Sequence, residues 1–197
     1  MNLSPGTMQH LLSLKQNMGE RVNITDAEWM MMMPRLELLE LEKNTLLVAE
    51  GEVEQYVYYI AEGVTRSFFE RNNRDISFEF YFSGMFISSY ASFLTRTPSG
   101  HSIEAFTAGT FLRIHYDQLM ELYGQSKNFE QLGRVITEEL FKKTSERNKD
   151  LLALSATERY QKLLTANPHY VQQIPLKYLA SYLNITPESL SRIRKTL

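Results

Sequence analysis

The chain has 197 residues, of which 43% are hydrophobic and 22% are charged, and its formal net charge is −2 at pH 7. This composition is ordinary for a globular protein and allows one large domain or two small ones. Because the net charge is slightly negative, the molecule is not a general polyanion binder, and any nucleic-acid surface must be local. The absence of cysteine excludes disulfides, thiolate metal sites and cysteine-held iron–sulfur clusters.

The N-terminal stretch MNLSPGTMQHLLSLKQNMGE lacks a charged segment followed by an apolar block. It therefore does not resemble a signal peptide. The apolar runs of the chain are also far shorter than the ~18 residues that cross a bilayer. We expect a cytoplasmic protein with no membrane partner.

Residues up to about Arg35 show helical spacing of their apolar side chains. Thr25 and Glu28 fit a capping box at the start of a helix, and Pro34 should help to end that helix. The run WMMMMP at positions 29–34 has two interpretations. We favour a flexible filler of the core over a soft ligand-binding surface.

From about Leu41 to Ile114 the pattern changes to short segments rich in aromatic and β-branched residues and separated by glycine, which predicts strands. The stretch ERNNRD at positions 70–75 suits a hairpin connection, because asparagine tolerates a positive φ. No alternation of strands and helices indicates a parallel nucleotide-binding sheet, so we expect a compact antiparallel barrel or jelly roll. In ISFEFYF, alternation predicts a half-buried strand with one apolar face. That face consists of Ile76, Phe78, Phe80 and Phe82.

Residues from Phe129 to about Leu154 form a long helix candidate, since apolar residues recur at steps of three, four and seven. One apolar stripe would pack on the strand domain, and a second could pair with a copy of itself. We favour a homodimer over a purely intramolecular helix. The residues assigned to the dimer helix are Phe129, Leu132, Ile136 and Leu140.

A second capping box, from Ser155 to Glu158, marks the start of a new helix and of a helical domain. The predicted organisation is a strand domain with N-terminal helices at 1–128, a dimerisation helix at 129–154 and a separate helical domain at 155–197. The fold class expected is α+β.

The last 24 residues, IPLKYLASYLNITPESLSRIRKTL, contain two short amphipathic segments around the tetrad NITP. Asn184 stands where a turn needs a left-handed residue, Thr186 is a natural N-cap, and Pro187 suits the first position of a helix. With Leu190 and Ile193 facing inward, these residues predict a helix–turn–helix.

The outer side of the second helix has side chains suited to DNA. Arg192 can donate two hydrogen bonds to guanine, and Glu188 can accept one from cytosine. The segment 174–197 has four lysines and arginines against one glutamate, which favours contact with phosphates. Any amphipathic helix pair could give this pattern, so a protein-docking surface is the alternative. The predicted DNA-binding residues are Thr186, Pro187, Glu188, Ser189, Arg192, Arg194 and Lys195.

With these features in this order, the sequence resembles the Crp/Fnr superfamily of bacterial transcription regulators. The resemblance covers nearly the whole chain, including glycines in the contexts AEGE, IAEGV and FSGMFI, the long helix and the closing SATERY…SLSRIRK. It implies a β-roll sensor domain, a dimer formed through the long helix and a winged-helix-like helix–turn–helix domain. It also implies binding to two DNA half-sites, with RNA polymerase as a further partner.

The family reads bases with an arginine, a glutamate and a second arginine on its recognition helix. In the corresponding stretch PESLSR, Glu188 and Arg192 are retained, but Pro187 replaces the first arginine. The resemblance therefore implies DNA recognition with a different preferred sequence.

The effector pocket departs further from the family. Cyclic-nucleotide members hold the ribose with a Gly-Glu pair and the cyclic phosphate with an Arg-Ser pair. Ser88-Ser89 replaces the first pair here and His101-Ser102 the second, with Arg96 nearby as a substitute cation. A histidine replaces a permanent guanidinium poorly, so we expect weak or no cyclic-nucleotide binding and an effector that is unknown or absent. The candidate pocket residues are Phe86, Ser88, Ser89, Arg96, His101 and Ser102.

The sequence contains no catalytic triad, paired-carboxylate motif or phosphate-cradling loop. The four histidines are scattered along the chain, so we expect no metal, no cofactor and no enzyme activity. Two alternatives remain: a sensor that acts through protein contacts, and a true cyclic-nucleotide-responsive regulator.

Overall fold

The structure is a computed structural model that describes residues 4–72 and 74–197. The helices are α1 (Pro5–Gly19), α2 (Asp26–Met32), α3 (Tyr90–Thr95), α4 (Tyr116–Gln125), α5 (Lys127–Ala153), α6 (Ala156–Ala166), α7 (Pro168–Gln173), α8 (Leu176–Tyr182) and α9 (Pro187–Thr196). The strands are β1 (Glu37–Leu41), β2 (Leu46–Val48), β3 (Tyr56–Glu62), β4 (Val64–Arg71), β5 (Arg74–Phe82), β6 (Phe86–Ile87), β7 (Ser102–Ala105) and β8 (Gly109–His115).

By internal contacts the chain divides into two units. The first unit contains the residues up to Ser67 together with Phe80–Glu138, and the second contains Phe68–Glu79 together with Glu139–Leu197. The first unit holds most of the strands and α1 to α4. The second holds the helices from α6 onward, and its segment 139–197 contains no strand, so the winged-helix comparison applies only to its helices. The domain limits expected from the sequence stay a prediction.

Two four-stranded sheets form the roll, with strand orders β1-β8-β3-β6 and β2-β7-β4-β5. The central pair, β3 and β8, is antiparallel and aligns Tyr59 with Leu112 and Ile60 with Phe111. The core cluster between the sheets consists of Val48, Tyr58, Ile60, Ile87, Ile103, Ala105 and Phe111. The predicted antiparallel roll is confirmed. Side chains of a strand point alternately to its two faces, so the aromatic and β-branched segments each turn one apolar face towards this core.

The N-terminal helices follow their local signals. The Thr25 backbone N–H donates to Glu28 Oε2 at 2.8 Å, and the Glu28 N–H donates to Thr25 Oγ1 at 3.3 Å. This capping box confirms the predicted start of α2, and Pro34 lies in the 3-10 turn that follows it. Of the methionine run, Met32 is buried and Met30 is exposed, so only part of the run fills the core.

The apolar face predicted for β5 is only partly buried. Phe80 and Phe82 are buried, whereas Ile76 and Phe78 are only half-buried. On the other side of the strand Ser77 and Glu79 are buried, so the expectation of one apolar and one solvent face is wrong near the hairpin. Both are polar and both have partners in the second unit. At the hairpin, Asn72 has φ +53°, as predicted, while Asn73 lies outside the described residues.

The long helix α5 confirms the predicted element, but three residues assigned to its dimer face are buried within the chain. Phe129, Leu132 and Ile136 are 1%, 6% and 8% exposed, and Leu140 is half-buried, so the place of these residues in a dimer contact stays a prediction. The first three of these side chains bury one side of α5 within the first unit. Further along α5, Phe141 is 73% and Leu152 is 90% exposed.

No helix in the described ranges combines the length and hydropathy that a bilayer crossing requires.

Replacing Gly109 tests the close approach of β8 to the end of β3. A Cβ at Gly109 would overlap the Glu62 carbonyl oxygen and lie 3.1 Å from both the Glu62 carbonyl carbon and the Gly63 Cα. These neighbours are backbone atoms that cannot rotate away, so Gly109→Ala should cost ~1–3 kcal/mol of unfolding free energy by overpacking. Urea denaturation measures this. Gly100→Ala is the matched control, because no atom lies within 4 Å of its added Cβ, and equal stabilities would contradict the packing argument.

The Glu28 carboxylate joins the start of α2 to the start of α5. It accepts hydrogen bonds from Ser126 Oγ and from Asn128 Nδ2, the latter at 3.1 Å. Chiefly because of the Ser126 hydrogen bond, and next because of the Thr25 N–H, the pKa of Glu28 is lowered to about 2.

Glu28→Gln should therefore lower the unfolding free energy at pH 7 and have a smaller effect as the pH falls. A depressed folded pKa stabilises the native state above the unfolded pKa, and that contribution is lost as the pH falls towards the folded pKa. Urea denaturation at pH 7 and pH 3 provides the comparison. Glu42→Gln, at an exposed position, is the control, and a Glu28→Gln penalty of equal size at both pH values would contradict the linkage.

Candidate nucleic-acid interface and ligand pocket

The turn between α8 and α9 is fixed by a left-handed residue. Asn184 has φ +54°. The Ile185 N–H donates to the Ala180 carbonyl at 3.0 Å, and the Asn184 N–H donates to the Ser181 carbonyl at 2.9 Å. This pair of bonds is a Schellman motif, which satisfies the last carbonyls of α8 and sends the chain sharply away.

Helix α9 begins directly after this turn. Thr186 has extended backbone angles, and its Oγ1 accepts a hydrogen bond from the Ser189 N–H at 3.2 Å. Pro187 occupies the first position of the helix. Leu190 is fully buried, and Ala180 on α8 is also fully buried, so a small residue lets the two helices cross closely. The predicted helix–turn–helix is therefore present in the second unit.

The first turns of α9 present polar side chains to solvent. Glu188 and Arg192 are exposed and Ser189 is half-buried; Arg192 Nη2 donates to Ser189 Oγ at 3.3 Å. The pKa of Glu188 is lowered, chiefly because its carboxylate accepts a hydrogen bond from its own backbone N–H. The carboxylate is thus ionised at neutral pH and available as an acceptor.

Two arginines that sequence reasoning missed hold the end of α8. Arg147 Nη2 donates to the Tyr182 carbonyl at 2.8 Å, and its guanidinium lies 4.7 Å from the centre of the Tyr182 ring. Arg159 Nε and Nη2 both donate to the Leu183 carbonyl, at 3.2 and 3.0 Å. Cations at a helix C-terminus stabilise its unpaired carbonyls. They position the turn from which α9 starts.

The hairpin segment 68–79 contributes a second support that the sequence did not reveal. Tyr170 Oη donates to Glu79 Oε1 at 3.1 Å, and Lys143 Nζ lies 3.1 Å from the same oxygen. The Ser77 N–H donates to Ser181 Oγ at 3.0 Å. A glutamate inside an aromatic strand was the one signal of a buried polar contact, but its partner lies 91 residues away.

In the strand domain, the serines of the candidate effector pocket bond to the protein itself. Ser88 Oγ donates to the Tyr56 carbonyl at 2.9 Å. Ser89 Oγ and Ser99 Oγ are 2.8 Å apart, and Ser99 Oγ donates to the His101 carbonyl at 2.6 Å. Ser99 was not among the predicted residues. These hydroxyls reinforce the loop around α3, which is a structural role.

Arg96, the substitute cation suggested by the sequence, makes its contacts within the protein. Its guanidinium lies 4.1 Å from the centre of the Tyr116 ring, and it donates to the Glu54 carbonyl at 2.7 Å and to the Gln55 side chain. Glu54, which the sequence did not single out, is 1% exposed. It accepts from the Tyr56 and Ser89 N–H groups, and burial raises its pKa.

The remaining pocket candidates carry no permanent charge. Burial lowers the pKa of His101, which leaves the imidazole neutral at pH 7. Ser102 Oγ accepts from the Glu50 N–H at 2.9 Å, and the Phe86 ring packs 5.3 Å from that of Tyr59. Within residues 4–72 and 74–197 no three metal-ligating side chains gather into a site.

Comparisons with known proteins agree with this architecture. Residues 38–126 match the family model described as cyclic nucleotide-binding domain. No curated protein sequence matches the chain.

Solved structures of transcription regulators match over most of the chain. FixK2 from Bradyrhizobium japonicum is 17% identical, with a TM-score of 0.70, and the match covers 82% of this chain and 84% of FixK2. A Crp/Fnr family regulator from Eubacterium rectale is 14% identical, with a TM-score of 0.70 and coverage of 88% and 83%. The c-di-GMP responsive regulator CLP from Xanthomonas campestris is 17% identical, with a TM-score of 0.64 and coverage of 87% and 91%. The chain therefore shares the fold of these solved Crp/Fnr-type regulators, as the resemblance predicted.

Proposed function

We propose that this chain is a sequence-specific DNA-binding transcription regulator. The observation that carries the proposal is the start of α9, where a Schellman turn and an N-cap present Glu188, Ser189 and Arg192 outward. A recognition helix reads base edges in the major groove with its N-terminal residues. The short side chain of Ser189 leaves the base-facing surface to Glu188 and Arg192.

Each exposed side chain has a chemical role in this proposal. Arg192 donates to guanine and Glu188 accepts from cytosine, which specifies sequence. Arg194 and Lys195, in the last turn of α9, neutralise phosphates and set affinity without specifying sequence. Thr186 lies at the helix N-terminus, where backbone N–H groups favour a phosphate.

The proposal includes a homodimer formed through α5, on a different face from the one first assigned. Phe141 and Leu152 are eleven positions apart, which is close to three helical turns, so they lie on one side of the helix. Both are highly exposed for large apolar residues. Two large exposed apolar side chains on one side of a long helix suit a two-fold interface, in which each copy contributes the same residues. Two copies would then place two α9 helices on successive half-sites.

We infer that cyclic nucleotides are not the effector. The phosphate-binding position holds His101, which is neutral when buried, and Arg96 is engaged with Tyr116 and Gln55. A cyclic phosphate would lack the bidentate cation that anion sites use. A small molecule of other chemistry remains the proposed effector class, acting by a shift in the populations of two conformations.

The same proposal assigns the chain no catalytic step. Action on chromosomal DNA places it in the cytoplasm. RNA polymerase is the further partner that transcription regulation requires.

Substitution of Arg192 should separate base reading from phosphate binding. Arg192→Ala should weaken binding to the preferred site by ~1–3 kcal/mol and relax preference at one base pair. Lys195→Ala should weaken binding to all sequences alike and lower the slope of log K against log salt by about 1. Selection from a random duplex library followed by anisotropy titrations at several salt concentrations measures both.

Lys43→Ala is the matched control, because Lys43 is exposed but lies in the strand domain. If library selection enriches no motif with the native chain, the regulator proposal is wrong. In that case the rival function, a sensor that docks its helix pair on a protein, is favoured.

Replacing Phe141 should disrupt the proposed dimer. Phe141→Glu puts a charge into the proposed interface from both copies at once. We expect the dimer dissociation constant to rise by about tenfold or more, since ~1.4 kcal/mol gives that factor. Sedimentation equilibrium measures the change. Met30→Glu makes the same kind of substitution at another exposed apolar residue and should leave association unchanged. A native chain that stays monomeric, or a Phe141→Glu variant that dimerises normally, would contradict this interface.

A further inference from the structure

A cavity of about 150 Å³ lies among α5, α6, α7 and α8. All of its lining residues belong to the second unit. Its apolar wall consists of Leu151, Leu163 and Ala166, with Tyr170 and Tyr182 beside them. An engineered protein cavity of ~150 Å³ admits benzene, so this one has room for a small organic ring.

The charged wall of the cavity has more basic than acidic side chains. Lys162 is paired with Asp150 at 2.7 Å, and Lys143 is paired with Glu79 at 3.1 Å. Two arginines, Arg147 and Arg159, also line the cavity. Glu146 is the lining acid left over, and it is exposed. The cavity therefore has a positive balance.

Both arginines bind only neutral acceptors among the described residues. Arg147 and Arg159 donate to the carbonyls of Tyr182, Leu183 and Leu154. The Nε of Arg147 is buried and has no hydrogen-bond partner in the described part of the chain. A guanidinium has five donors and forms its strongest bonds to carboxylates and phosphates. These two retain capacity for an anion.

We propose that this cavity binds a small organic carboxylate with an apolar body of about the size of benzoate. The carboxylate would take the unsatisfied donors of Arg147 and Arg159, and the ring would lie against Leu163 and Ala166. A DNA phosphate offers a similar anion but no apolar body, and the leucine and alanine wall favours a ligand that has one.

Occupancy of this cavity would act on the helix–turn–helix directly. The two arginines hold the carbonyls of Tyr182 and Leu183, the last two residues before the left-handed Asn184. An anion that shares their donors changes how firmly that turn is held, and a ligand shifts a conformational equilibrium by its difference in affinity for the two states. This consequence rests on the proposed DNA-binding function, whereas the binding itself does not.

Isothermal titration of the full chain with benzoate tests the site without DNA. Benzamide has the same shape without the charge, and losing one charge-assisted contact should weaken binding about tenfold. Inorganic phosphate supplies charge without an apolar body and should also bind more weakly than benzoate. If phosphate bound as tightly as benzoate, the assignment to an apolar carboxylate would be overturned.

Two variants should weaken benzoate binding in different ways. Arg147→Gln removes the charge, and Ala166→Leu fills the cavity from a position that is exposed at the end of α6; each should weaken benzoate binding about tenfold. Lys149→Gln, on the same helix but outside the lining, should leave binding unchanged. Because Arg147→Gln could also loosen α8, Ala166→Leu keeps the test valid, with thermal melts to confirm folding.

The absence of benzoate binding, or binding that both Arg147→Gln and Ala166→Leu leave intact, overturns the proposal. Anisotropy of a labelled duplex, with and without benzoate, then measures the coupling to DNA. If benzoate binds but the chain fails to bind DNA at all, the ligand site stands and the regulator function fails, so the two failures are distinguishable.

Discussion

The left-handed conformation of Asn184 is the constraint on which the DNA-facing geometry depends. With φ at +54°, the chain can close both Schellman bonds, end α8 and reach the N-cap of α9 within three residues. A β-branched residue would resist that conformation, whereas asparagine adopts it at modest cost. The burial of Leu190 against the α8 side then fixes the crossing, and the outward residues follow from helical periodicity alone.

The predictions that succeeded depended on local chemistry. Caps at Thr25, Ser155 and Thr186 involve residues three positions apart, so the sequence contains both partners side by side. Alternating aromatic segments predicted strands because the period of 2 is a property of the strand itself. The strand order, β1-β8-β3-β6 and β2-β7-β4-β5, pairs segments far apart in the chain. Neither periodicity nor the helix caps predict this order, which only the structure shows.

The sequence could not decide which of two plausible neighbours a side chain contacts. Helical spacing identified Phe129, Leu132 and Ile136 as an apolar stripe, but spacing cannot distinguish intramolecular packing from a partner subunit. The same limit applies to Arg96, whose guanidinium packs on Tyr116. It applies also to Arg147 and Arg159. Their sequence positions are those of ordinary surface cations on helices, and only the structure shows them beside the C-terminal end of α8.

The contact between Glu79 and Tyr170 has a consequence for how the protein is made. The two residues are separated by 91 positions, and chains leave the ribosome from the N-terminus and fold in that order. Strand β5, which contains Glu79, therefore leaves the ribosome before α7 does. Burial of Glu79 by Tyr170 waits for the synthesis of α7, so a chain that stops before α7 keeps this carboxylate without its tyrosine partner.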